Sequence, residues 1–440
     1  MPTDPEHEAR TVQAIARAFT DIPYYASKGR AAPAAGDALE PTLAALPLLF
    51  KKDLRATLPK QWVPKGRDAK AELASGELEL VETTGSAEDR LRILWDKGWW
   101  PKQRERAMRT HPIVGAALGQ GYCEAVLSTP ATGMATCHTD ELSYADRVVG
   151  HRLFLNMRPD PTFWQLDDMD RMIDEIAHHG TVGLESDPAY LATLARRAAA
   201  TGKRIDVKAF VLLTNAFVTR ASVRAIRRVY DGPLLQMYGA TEVGALFMEG
   251  PDGLLHHAPF TTHVELLPAK VKTPGAENVA LVVVTSLDRI AQPLVRFVLG
   301  DLVQVAPNAP RVHTTVPALT SIEGPVQDAL VLPDGGLVTT GAVDRALGAI
   351  EAVAQFQIDQ RTSDRAEVGI LLEEDADEAD VTRALEDVTR ALAALAPGLA
   401  LDVRRVTAIA AEPNGRFRVV RRHFPIDYAA TFAASAAVAS

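Results

Sequence analysis

The sequence predicts an α/β protein: a large N-terminal unit over residues 1–327, followed by a small α+β unit over 328–440. Three observations carry this. Between about 165 and 230, amphipathic helical patterns alternate with short apolar runs, as in sheets covered on both faces. From 263 to 305, strand-like runs follow one another. From Ala329 the pattern restarts on a smaller scale, enough for a compact unit of its own.

In chain order, 8–19 has helical spacing, with Val12, Ile15, Ala16 and Phe19 on one face, and a Pro/Ala/Gly-rich loop follows over 28–41. Helices are predicted over 169–176, 189–200 and 220–229, with strands at 78–81, 208–213 and 234–237. Strands at 263–267, 279–285 and 302–305 continue the large unit, which closes on prolines and a Gly324-Pro325 break. The small unit reads as strand 329–332, a turn at Asp334-Gly335-Gly336, helix 343–350, strands 353–359 and 368–372, helix 378–395 closed by Pro397-Gly398, and strand 401–406. The Ala-rich tail, 429–440, is expected to be poorly ordered.

Composition sets bounds on function. The chain has 440 residues, 47% hydrophobic and 23% charged, so a sizeable core can form and two to three domains are expected. Its net charge of -9 gives no general pull toward nucleic acid or acidic membranes. No run approaches the ~20 apolar residues of a membrane span, and the charged N-terminus lacks a signal-peptide core, so a cytoplasmic protein is expected. Cys123 and Cys137 form no disulfide framework; both read as small buried hydrophobes, and Cys137-His138 lacks a second pair at zinc-ligand spacing. The oligomeric state is open, a homodimer included.

Three segments could carry chemistry. In Leu234-Leu235-Gln236-Met237-Tyr238-Gly239-Ala240-Thr241-Glu242 an apolar strand ends in a tight glycine turn, then presents a hydroxyl and a carboxylate together. Glycine permits close backbone approach to phosphate, and Mg²⁺ needs a hard oxygen ligand. In Pro293-Leu294-Val295-Arg296-Phe297-Val298-Leu299-Gly300-Asp301 an acid stands at a glycine turn, 59 positions after Glu242, where it could accept both hydroxyls of a ribose. Glu82-Thr83-Thr84-Gly85-Ser86 groups hydroxyls around a glycine, as a phosphate-binding loop would. Taken singly, each also reads as an ordinary turn. His138, His256 and His257 read as hydrogen-bonded structural groups, and Trp95, Trp99 and Trp100 as core or wall.

In this order the segments resemble the adenylate-forming superfamily, and within it the phenylacetate–CoA ligase-like branch. Leu46-Pro47-Leu48-Leu49-Phe50-Lys51-Lys52-Asp53-Leu54 is similar to that branch's N-terminal segment, Ile322-Glu323-Gly324 through Asp328 to its hinge, and Asn414-Gly415-Arg416-Phe417-Arg418 to its C-terminal loop. The resemblance implies a large adenylating domain with a small mobile C-terminal domain that swings about Asp328. It implies that Tyr238 stacks on adenine, Thr241 touches the α-phosphate, Glu242 holds Mg²⁺ and Asp301 binds the ribose. Thr83, Thr84, Gly85 and Ser86 would cover the outer phosphates, and Asn215 and Ala216 would lie beside the adenine, with Ala216 where the family has an acid. Gly239 would border both nucleotide and acid, His138 would line the acid pocket, and Arg416 would stand in for the catalytic lysine.

The sequence also departs from the family pattern. Ser86 is followed by Ala87-Glu88-Asp89-Arg90, without the family's second threonine, second glycine and lysine, and the hinge arginine is Pro325. The resemblance implies ATP-dependent activation of a small, aromatic carboxylic acid with pyrophosphate release, ATP and Mg²⁺ as cofactors and CoA as thiol acceptor. Two alternatives stay open: transfer of the activated group to an amine, a carrier protein or nitrite without CoA, and a non-catalytic nucleotide binder.

Overall fold

The computed structural model describes residues 4–34, 36–83, 90–119, 121–128, 142–158, 160–306, 316–373, 377–412 and 415–434. Its centre is one twelve-stranded mixed sheet. Five strands run parallel in the spatial order Arg152–Phe154, Glu124–Leu127, Gly183–Ser186, Phe210–Leu213 and Leu234–Ala240. Beyond Leu234–Ala240 the direction reverses, and Gly244–Glu249, Leu255–His257, Leu319–Pro325, Phe297–Val305, Val279–Ser286 and Thr262–Pro268 continue antiparallel. The strand Leu234–Ala240 belongs to both halves. A crevice forms where a sheet changes its winding, outside the carboxyl ends of the parallel strands.

Burial explains the strand sequences. Val279–Ser286 is buried at all eight positions, and a strand covered on both faces is apolar throughout rather than alternating. Helices Leu166–His178, Pro188–Ala200 and Arg220–Arg227 cover one face of the parallel half, packing Ile176, Leu191 and Ile226 on Leu127, Leu184 and Val211. Helix Trp99–Met108 covers the other face, against Phe210, Leu212 and Met237.

A second core lies between Leu330 and Val420. Its four-stranded sheet has the order Ala400–Arg405, Arg365–Leu372, Val353–Thr362, Val420–Arg422, antiparallel at the centre and parallel at both edges. Val353–Thr362 alternates buried and half-buried positions over most of its length because one face is covered. The cover is helix Glu378–Leu395, which buries Val381, Ala384, Val388, Leu392 and Leu395 at three- to four-residue spacing. Asp377 caps its start by accepting from Asp380 N, and Gly398, at φ 83°, follows its end.

Several sequence expectations are corrected. The strand predicted to stop at Met237 runs through Gly239 and Ala240, and the chain reverses only at 241–243. Gly239 is therefore not a turn residue. A Cβ there would meet the Gly244 carbonyl oxygen at 2.5 Å, so close strand approach is what demands glycine. Likewise Asp301 sits inside strand Phe297–Val305 rather than at a turn. Between the pairs Val283↔Val298 and Leu281↔Leu302 the strand carries extra residues, a bulge that Gly300 permits at φ 95°. The described part of the tail expected to be poorly ordered is packed: Tyr428–Thr431 is helical, and Phe432, buried at 3% exposure, bridges to Ala269, while 435–440 lie outside the described residues. The loop expected over 28–41 gives way to helix Leu39–Ala44, and Cys123 is half-buried rather than fully buried.

Candidate active site

A cavity of about 1250 Å³ opens at the reversal of the sheet and is lined by both cores. Strand Leu234–Ala240 brings Tyr238, Gly239 and Ala240 to it, the reversal that follows brings Thr241 and Glu242, and the bulge in Phe297–Val305 brings Asp301. Thr83, Asn215, Ala216, Asp328 and Arg416 line the same cavity. Thr84, Gly85, Ser86 and His138 lie outside the described residues.

Tyr238 donates its hydroxyl to Asp301 Oδ2 at 2.7 Å. Burial raises the Tyr238 pKa well above its ordinary value and the field of Asp301 adds to this, while burial raises the Asp301 pKa against the hydroxyl bond, Lys51 and Arg416, which favour its ionised form. Glu242 is 4% exposed, and burial lifts its pKa against the pull of Lys51, whose Nζ stands 3.9 Å from Oε1. The backbone of this turn is fixed from behind: Trp95 Nε1 donates to Thr241 O at 3.0 Å, and Arg289 donates to Glu242 O at 2.9 Å while its guanidinium lies over the Trp99 ring. Burial lowers the Arg289 pKa to about 10, and the group still holds a proton at neutral pH.

Arg416 enters from the C-terminal loop. It is half-buried and lines the cavity; desolvation lowers its pKa, while Asp187, Asp301, Tyr190 and Glu242 act in the opposite direction. Its neighbours anchor the loop. Tyr190 donates to Gly415 O at 2.9 Å, Phe417 packs on the core under the parallel strands, and Arg418 Nε donates to Asp328 Oδ1 at 3.1 Å. Asp187 caps helix Pro188–Ala200 through Ala189 N and Tyr190 N, and burial pushes its pKa up to about 6.

The remaining sequence candidates fall as follows. Thr83 is buried, and its Oγ1 accepts from Leu91 N at 2.9 Å, closing the base of the hairpin Leu78–Glu82/Arg92–Asp96. Asn215 has φ 70°, a conformation asparagine tolerates, and its Nδ2 is buried without a partner among the described residues. Asp328 is 7% exposed in the short turn Val326–Asp328. Trp95 stacks on Trp100 at 4.7 Å as a wall of the cavity, whereas His256 is bonded to Asp252 and His257 to Thr262, away from it. Lys51 is the group sequence reasoning left without a role. It sits in a quoted family segment, but nothing in one dimension brings it to Glu242.

A divalent cation fits this site in a specific way. Among the described residues no group of three or more His, Cys, Asp or Glu is placed to hold a metal. Glu242 would be its one protein ligand here, the remainder coming from phosphate oxygens and water, as Mg²⁺ prefers. Among the described residues no helix is long and apolar enough to cross a membrane.

No family profile matches the chain, and no curated protein does. Solved structures do. A 2-hydroxyisobutyryl-CoA ligase in the postadenylation state, in complex with 2-HIB-AMP, superposes with a TM-score of 0.71 at 16% identity over 96% of this chain and 89% of that one. The same enzyme in its thioesterification state with CoA gives 0.54 at 16% identity, over 96% and 91%. The amide bond synthetase McbA from Marinactinospora thermotolerans gives 0.53 at 15% identity, over 77% and 66%. The chain has the fold of the adenylate-forming acyl-CoA ligases.

Proposed function

We propose that this protein activates a small carboxylic acid with ATP, forming an acyl adenylate and pyrophosphate. The observation that carries the reading is the convergence of Tyr238, Glu242, Asp301 and Arg416, with Lys51, on one cavity at the sheet's reversal. The substrate carboxylate oxygen attacks the α-phosphorus, the bond to the β-phosphate oxygen breaks, and pyrophosphate leaves, so no protein nucleophile or proton transfer is required. Positioning and charge neutralisation are the protein's share.

Asp301 accepts the ribose hydroxyls, with Tyr238 holding its carboxylate in place beside the adenine. Asn215 and Ala216 border the base. Thr241 addresses the α-phosphate, and Gly239 leaves room for the acid to approach it. Glu242 would hold Mg²⁺, whose charge would offset that of the phosphates. Arg416 and Lys51 supply positive charge that the sequence after Ser86 lacks. Asp328 is the hinge between a large domain, 1–327, and a small one, 328–440. The arrangement superposes better on the postadenylation state of the relative than on its thioesterification state, which supports the present geometry as the one for the first half-reaction. CoA is the acceptor of the second half-reaction.

Acid-dependent exchange of labelled pyrophosphate into ATP tests the first step. Exchange with at least one acid of a broad panel is expected, and none would make the chain a nucleotide binder only. Product formation with and without CoA tests the second. Turnover with an amine and no dependence on CoA would overturn the thioester step and leave the adenylation standing.

A further inference from the structure

On its parallel-strand side, the same cavity has a wall of a different kind. Arg104 projects from helix Trp99–Met108, Glu124, Arg152 and Glu185 from three adjacent parallel strands. Arg104 Nη2 donates to Glu124 Oε1 at 2.6 Å and also pairs with Glu185. Arg152 Nε stands 2.7 Å from Glu124 Oε2, and its Nη2 donates to Glu185 Oε2 at 3.3 Å. Tyr122 OH adds a donor to Glu124 at 3.3 Å. Glu124 is sealed beneath the others at 1% exposure, whereas Arg152 and Glu185 keep 33% and 13% of their side chains exposed and line the cavity.

The network joins the wall to the reacting end. Gln103, one residue before Arg104, accepts from Ala245 N at 2.8 Å, which pins the helix to the strand that follows Glu242. Val126 and Phe154 flank the charges with apolar surface. Such a wall does not suit an unsubstituted aryl or alkyl acid, which would cover Arg152 and Glu185 without satisfying them. It does not suit a second formal charge either. Two guanidiniums already balance two carboxylates, and an added ion would be buried uncompensated. Arg152 and Glu185 meet through Nη2 and Oε2, and among the described residues Arg152 Nη1 and Glu185 Oε1 take no hydrogen bond, so the wall offers the cavity one donor and one acceptor from a single ion pair. A hydroxyl is the neutral group that answers both, accepting from the first and donating to the second.

From this juxtaposition we infer that the acid carried by this cavity is a hydroxylated one, with Arg152 and Glu185 as its specificity-determining pair. The inference rests on the adenylation reading for which end of the acid reacts, but its test does not. Titration calorimetry of the whole chain with matched pairs, 4-hydroxyphenylacetate against phenylacetate and 3-hydroxybutyrate against butyrate, measures binding without turnover. The hydroxylated member of at least one pair should bind about tenfold tighter or better, since a site built for a hydroxyl rejects the analogue lacking it. Glu185→Gln and Arg152→Leu should each bring that ratio below about twofold. If these variants do not fold, the wild-type pairs alone still decide. Equal affinity within every pair, no binding by either member of any pair, or tighter binding of succinate or 4-aminobutyrate would overturn the inference. Loss of pyrophosphate exchange would instead strike the adenylation reading, and the hydroxyl preference would stand without it.

Discussion

The wall that carries Glu242 and Asp301 and the wall that carries Glu124 and Glu185 each hold two carboxylates, yet they treat the charge differently. On the first, the nearest cation to Glu242 is Lys51 at 3.9 Å, and burial raises the pKa of both acids. On the second, two arginines lie within ion-pair distance of each acid, and they hold Glu124 below the usual carboxylate range despite its burial. Distance to a compensating cation decides the sign, because desolvation acts on both walls alike. The first wall is under-compensated and suits cations or hydroxyl donors brought by a ligand. The second is balanced in charge but not in hydrogen bonds, and suits a neutral polar group.

Three substitutions separate the walls, and a fourth, at the buried cap Asp187, tests the same rule away from them. The largest effect belongs to Glu124→Gln, which leaves Arg104 and Arg152 short of an anion in the interior. Urea unfolding should show a loss of about 3–5 kcal/mol, as for broken buried pairs. Asp187→Asn should go the other way with pH. Burial raises the folded-state pKa of Asp187 from 3.8 to about 6, so its contribution is fully present below pH 3.8 and is lost as pH rises through 6. Stability curves of this variant should gain on wild type by about 3 kcal/mol between pH 4 and 7. Glu242→Gln should lower pyrophosphate exchange by about 100-fold or more with no loss of stability, since the first wall does not need its charge to fold. A parallel fall in unfolding free energy would place Glu242 with Glu124 and erase the contrast. The smallest effect is expected from Tyr238→Phe, a rise of about fivefold in the KM for ATP from the loss of one hydrogen bond to Asp301.

What the sequence made legible follows from what is local. Helix 378–395 is readable to the residue because its apolar stripe and its Pro397-Gly398 stop are contiguous. The fold class was readable from alternation, and the motif residues from order along the chain. Geometry that depends on two strands meeting was not. The turn expected at Gly239 proved to be a paired strand, and the acid expected at a turn proved to ride a bulge, because both are set by partners in Gly244–Glu249 and Val279–Ser286. The second wall left no trace in one dimension. Its members, at 104, 124, 152 and 185, share no spacing, and each taken alone is an ordinary charged residue.

The C-terminal loop adds one more consequence. Within four residues it is held by Tyr190 at Gly415, by the core under the parallel strands at Phe417 and by Asp328 at Arg418, with Arg416 between them inside the cavity. In the domain movement proposed above, separating the two cores would break these three anchors and carry the guanidinium away with the loop, so access to the cavity and loss of its positive charge would be one event.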